Sequence, residues 1–262
     1  MLNPTTSSAR GFIWLVGAGP GAPDLITLRG LRILQAAEAV IYDELVNREL
    51  LAHCPPGCEQ HAVGKRAGCH STTQPEINAL LVALGAAGKK VVRLKGGDPM
   101  IFGRVGEELE ALRAAGIPFE IVPGVTAATA SGAAAHLPLT HRDHSSAVVF
   151  VTGHQCAANT AAIDWGALAK LRATLCFYMG VRRLPEIAQN LLGHGMAADM
   201  PIAVISEATL PTQKILTGTL REAGKLSAGL AGQPALVVIG EVVRLSSFAA
   251  ELPQLHAEAA SL

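Results

Sequence analysis

One repeated order limits what this chain can fold into: a short apolar run, a glycine-bearing turn, then a helix-patterned segment. "FIWLVG" (Phe12–Gly17) runs into "AGPGA", and "PDLITLRGLRILQAAE" follows, with Leu25, Leu28 and Leu31 on one expected face. The next run is 39–43. "QPEINALLVALGAAG" is the clearest helix, with Ile77, Leu80, Leu81 and Leu84 at i, i+3, i+4 and i+7. Pro75 suits its first turn and Gly88 its end. A run at 91–94, a helix at 107–115 and a run at Phe119–Val122 continue the series. Such alternation predicts largely parallel sheets covered by helices.

The small-residue segment 122–139 reads as a tightly packed helix, and "PLTHRDHSS" (138–146) as a polar connector. The alternation then restarts, with strands expected at Val148–Thr152, Thr174–Tyr178, 202–206 and Ala235–Ile239. Leu184, Ile187, Ala188 and Leu191 mark a helix, and "KILTGTL" an added antiparallel strand. The expected organisation is an N-terminal α/β domain over 11–140 and a C-terminal α/β domain over 141–250. A chain of 262 residues, half of them hydrophobic, can bury cores of that size.

Lys+Arg and Asp+Glu both number 21, so the formal net charge is zero, which argues against a general nucleic-acid or membrane-surface binder. No apolar run reaches membrane-spanning length, and "MLNPTTSSAR" lacks the order of a signal peptide. Five cysteines, an odd number, fit a reduced cytoplasmic protein. "HCPPGCEQHAVGKRAGCH" holds His53, Cys54, Cys58, His61, Cys69 and His70, but in the spacing of no standard zinc finger. No metal is expected.

Three turns carry the candidate chemistry. Gly17-x-Gly19-x-x-Ala22 nearly fits the dinucleotide fingerprint, and Asp43 ends the next strand, where such folds place a ribose-binding acid. A nicotinamide oxidoreductase therefore competes. Pro20 and Gly21 make the loop more a rigid turn than a helix opening. In "VRLKGGDPMIFGRVGEEL", Gly96 and Gly97 permit close backbone approach. Asp98 either accepts bonds from a ligand or caps its own turn. "VPGVTAATASG" adds a third turn. Loops at strand C-terminal ends gather in the crevice where open parallel sheets bind ligands.

Eight segments together resemble one family, the uroporphyrinogen-III C-methyltransferases within the tetrapyrrole methylases. They are "VGAGPGAPDLITLRG", "VIYDELV", "VGKRAG", "VVRLKGGDPMIFGRVGEEL", "VPGVTAATA", "PLTHRD", "FYMG" and "PALVVIGEVV". Each alone is weak; the order of all eight is specific. The resemblance implies two α/β domains of tetrapyrrole-methylase type with S-adenosylmethionine (SAM) bound between them, and a homodimer. It implies two methyl transfers, to C2 and C7 of uroporphyrinogen III, giving precorrin-2 for sirohaem, cobalamin or haem d1. S-adenosylhomocysteine would be the by-product.

By the same resemblance, cofactor contacts fall on Pro20, Gly96, Gly97, Asp98, Ile101, Thr126, Ala127, Met179, Ala208 and Ala235. The proton acceptor matches Asp43, the donor Lys65, and Arg104 joins them. Tetrapyrrole contacts match Arg104, Glu107, Arg142 and Met179. Planar guanidinium groups suit a substrate bearing eight carboxylates. Blander readings stand beside each. Asp43 can be a strand-end acid, Lys65 a solvated loop charge, Met179 core filler, Glu107 a helix-dipole partner and Arg142 a surface residue. Val105 and Met100 depart from the family's usual glycine and aromatic residue. A later precorrin methylase and a non-catalytic sensor of SAM or tetrapyrrole are the further alternatives.

Overall fold

The computed structural model describes residues 10–64, 72–153, 163–230 and 232–249. The chain divides into two compact units between Ala127 and Ala128, ahead of the connector at 138–146 where the boundary was expected.

The first unit is a five-stranded sheet, β1 (Phe12–Gly17), β2 (Ala39–Tyr42), β3 (Glu59–Ala62), β4 (Lys90–Lys95) and β5 (Phe119–Val122), in the order β3-β2-β4-β1-β5. Every pairing is parallel. Alternation along the strands serves both faces. Ile13, Leu15, Ile41 and Val91 pack with Ile77, Leu81 and Leu112 on one side, while Val16, Val40, Val92 and Leu94 pack with Leu34 and Leu50 on the other.

The helix expected from Pro23 breaks in two. Pro23–Leu25 is a single 3-10 turn, and α1 (Leu28–Leu34) begins after Thr27, whose side chain accepts from the Gly30 amide at 3.1 Å. Leu28 is therefore 71% exposed, and Gly30 and Leu34 are buried instead. α2 (Gln74–Ala86) forms as expected: Glu76 accepts from the Thr73 amide at 2.6 Å, and Ile77, Leu81 and Leu84 face the core. α3 (Val105–Ala114) starts two residues early, because Val105 is a buried core residue.

The second unit begins with α4 (Ala127–Ala134) from its second residue, Ala128, onward. The Ala128 amide donates to the Tyr178 hydroxyl at 3.1 Å, and Ala128, Ala135 and Leu137 pack with Cys176, Ala203 and Val238, which is why this helix does not join the first unit. The sheet follows as β6 (Val148–Thr152), β7 (Thr174–Tyr178), β8 (Pro201–Ser206), β9 (Lys214–Thr219) and β10 (Ala235–Ile239), in the order β6-β7-β10-β8-β9. Here the expectation of a mainly parallel sheet fails. Only β6 and β7 pair in parallel; β10 runs antiparallel between β7 and β8, and β9 runs antiparallel to β8. A fully buried apolar run looks the same in either direction, so composition could not reveal the reversal. Helices α5 (Trp165–Lys170), α6 (Leu184–Gly193) and α7 (Ala223–Ala228) supply Leu168, Leu184, Ile187, Leu191 and Leu226 to one face. Among the described residues, no helix is long and apolar enough to cross a membrane.

Candidate active site

In the first unit the turns after β1, β4 and β5 lie backbone against backbone. Gly19 and Gly97 form a bridge: the Gly97 amide donates to the Gly19 carbonyl at 2.7 Å, and the reverse bond is 3.3 Å. A Cβ on Gly124 would fall 2.4 Å from the Gly97 oxygen, so only glycine fits there. Gly97 differs. Its φ is +71°, and the nearest atom to an added Cβ is the Ala127 amide nitrogen at 3.9 Å. Its open side can admit a ligand to the backbone, with Thr126 and Ala127 adjoining.

Asp98 locks this arrangement. Its carboxylate accepts from the Met100 amide at 2.8 Å and from the Gly124 amide at 2.9 Å, tying the β4 turn to the β5 turn. The turn-capping reading of Asp98 is thus realised, and the carboxylate also bridges two strands' ends. Pro20 is half-buried beside Gly19, and the Ile101 amide bonds the Asp98 carbonyl at 3.3 Å. Met100 and Phe102 on the β4 turn, and Leu45 after β2, are exposed apolar side chains. The glycine loop after β1 does not open onto a helix, since only a 3-10 turn follows it. The helix N-terminus that a dinucleotide pyrophosphate needs is therefore absent there, which removes the main support for a nicotinamide enzyme.

Asp43 follows β2 and is partly exposed. Its Oδ1 accepts from Arg93 Nη2 at 2.5 Å. Lys65 lies outside the described residues. Arg104 caps α3 in a left-handed conformation, φ 54°, and its guanidinium forks onto Glu107 with two bonds of 2.8 Å. Arg104 beside it holds the Glu107 carboxyl below the usual carboxylate range. Both side chains are exposed, so the pair orients Arg104 more than it stabilises the fold.

In the second unit, register brings three expected residues to one end of the sheet. Tyr178 pairs with Leu236, and Ser206 with Ala235. Met179, Ala208 and Ala235 therefore share the edge where β7 and β8 end and β10 begins. Met179 is 55% exposed, which discards the core-filler reading. Arg142 is not with them. It lines a cleft with Ala173, Ile239 and Gly240, at the opposite end of the same strands.

Backbone strain marks the same places. Of six non-glycine residues with positive φ among those described, Phe102 and Arg104 lie in the turn after β4, and Met179, Glu207 and Thr209 at the Met179 end of the second sheet. Each such residue costs roughly 1–3 kcal/mol, a cost that concentrates at ligand sites. Three charged residues escaped the sequence reading. Arg93, Lys95 and Glu108 are almost wholly buried and joined to one another. The visible signal was two cations inside the apolar strand "VVRLK". His53, Cys54, Cys58 and His61 make no metal cluster; among the described residues no three such side chains gather. Cys69 and His70 lie outside the described residues.

The class so defined is a two-unit α/β protein whose glycine turns meet at the C-terminal ends of a parallel sheet, where open sheets of this kind bind ligands. Residues 13–224 match the family model of the tetrapyrrole (corrin/porphyrin) methylases, and the chain belongs to that family. It is 55% identical over 236 residues to siroheme synthase 1 of Yersinia enterocolitica, covering 90% of this chain and 50% of that one. The chain thus spans about half the length of the curated relatives it matches. A crystal structure of uroporphyrin-III C-methyl transferase from Thermus thermophilus, complexed with S-adenosyl homocysteine, is 40% identical with a TM-score of 0.77, covering 90% of this chain and 94% of that one. A cobalt precorrin-4 methyltransferase is 31% identical with a TM-score of 0.79, over 88% and 95% of the two chains.

Proposed function

We propose that this chain methylates uroporphyrinogen III twice, at C2 and C7, to give precorrin-2, with SAM as donor. The observation that carries the reading is the glycine seam of Gly19, Gly97 and Gly124, locked by Asp98 and open on one side of Gly97. In the first unit, backbone groups at Gly96, Gly97, Thr126 and Ala127 beside apolar Pro20 and Ile101 suit SAM; Met179, Ala208 and Ala235 are assigned to the cofactor by family resemblance alone. When bound, SAM supplies an electrophilic methyl group on a sulfonium, which needs no metal. The fold is shared with a cobalt precorrin-4 methyltransferase, so the choice of substrate rests on sequence. Identity is 40% to the uroporphyrin-III enzyme against 31% to the precorrin-4 enzyme.

Within this reading, Arg104, oriented by Glu107, anchors substrate carboxylates through its planar fork. Met179 contributes an apolar contact, whereas Arg142, at the other end of the second sheet, is left out of that contact set. Asp43 accepts the proton that the macrocycle must lose elsewhere once a pyrrole carbon has been methylated, and Lys65 serves as donor. Holding the acceptor carbon in line with the methyl group contributes on the order of 7–11 kcal/mol in well-oriented cases. The product feeds sirohaem, cobalamin or haem d1 synthesis, the protein works as a homodimer, and its place is the cytoplasm. The relatives named siroheme synthases favour the sirohaem branch. Competition between S-adenosylhomocysteine and SAM tests the donor site. Competitive inhibition is expected; inhibition independent of SAM concentration would contradict a shared site.

A further inference from the structure

Beneath the β4 turn lies a closed set of four charges. Arg93 is 1% exposed, Lys95 3% and Glu108 0%. Glu108 Oε1 accepts from Arg93 Nε at 2.9 Å, from Lys95 Nζ at 3.0 Å and, weakly, from Gln74 Nε2 at 3.5 Å. The far edge of the Arg93 guanidinium reaches Asp43 at 2.5 Å. The set balances, two cations against two carboxylates. Burial alone would lower Arg93, but Asp43 and Glu108 hold it charged; Lys95 is pushed down by burial and by Arg93. Asp43 alone has substantial exposure, with 31% of its side chain accessible.

Glu108 is oddly placed for a residue that serves stability only. Its donors converge on one oxygen, and Oε2 is buried with no hydrogen-bond partner among the described residues. Replacing such buried ions by apolar groups is often neutral or stabilising. What the geometry does achieve is direction. A guanidinium is a rigid plane, so fixing its Nε edge on Glu108 fixes where Nη2 points, and Nη2 holds Asp43.

We propose that Glu108 is a positioning residue for methyl transfer, acting through Arg93 to orient the Asp43 carboxylate. The inference rests on the reading of Asp43 as the proton acceptor. The test is steady-state kinetics of Glu108→Gln, Asp43→Asn and the double variant, with thermal melts. Glu108→Gln keeps the shape but removes the counter-charge. Its kcat should fall about tenfold or more, part of the 10²–10⁴ that a positioned base contributes, with KM for both substrates little changed. In the Asp43→Asn background it should cost nothing further. Arg93→Lys keeps a buried cation but loses the fork, and should reproduce the kcat loss should Glu108→Gln fail to fold. Unchanged kcat with a lowered melting temperature would overturn the proposal, as would losses that multiply in the double variant. Full kcat in Asp43→Asn alone would instead overturn the reading of Asp43, and this inference with it.

Discussion

Gly124 and Gly97 differ in how they should fail. Gly124→Ala places a methyl 2.4 Å from a backbone oxygen, so the turns must separate. We expect a loss of about 1–3 kcal/mol in denaturant melts together with loss of SAM binding. Gly97→Ala meets open space but must hold φ +71°, at about 1–2 kcal/mol. With SAM bound at this turn as proposed, calorimetry should find its affinity reduced, because the methyl would fill the open side of Gly97. Arg104→Ala removes an exposed pair worth about 0–1 kcal/mol, so the melting temperature should hold. The KM for the tetrapyrrole should rise while the Kd for SAM stays put; equal loss of both would contradict the division of roles. Cys54 and Cys176 have thiols pushed up to about 12, chiefly by burial, so neither is a thiolate at pH 8. Alkylation of the native protein at that pH should leave both unmodified.

At the scale of elements, α2 offers the cleanest tests. Glu76 bonds both the amide and the hydroxyl of Thr73, and Glu76→Ala should cost about 1 kcal/mol in urea melts. Leu81, fully buried on the same helix, should cost about 2–5 kcal/mol as Leu81→Ala. These two features were legible in the sequence, since a capped amphipathic helix carries its own instructions. So were the apolar strands. The edge strand β3 was not, because "EQHA" is polar and joins the sheet only through its pairing with β2. The break before α1 was missed because Thr27 caps a helix in the middle of an apolar pattern. Asp43 and the glycine turns could be read from the chain, but the partners of Asp43 could not. Arg93 and Glu108 stand 50 residues and more from it, and only the fold brings them together.

At the scale of the molecule, each unit is a sheet with both faces covered, and each brings several of the residues expected to hold the cofactor to one strand end. The first does so by parallel pairing, where strand C-termini share an edge by construction. The second does so by an antiparallel insertion, which brings the start of β10 beside the ends of β7 and β8. That second route explains why Ala235 belongs with Met179 and Ala208 despite opening a strand rather than following one. It also explains why Arg142, near the start of β7, stands apart. The measurement that tests the central claim is anaerobic turnover of uroporphyrinogen III with methyl-labelled SAM, the product resolved by mass. The account predicts a product carrying two added methyl groups. Bound SAM with no transfer to uroporphyrinogen III would contradict it.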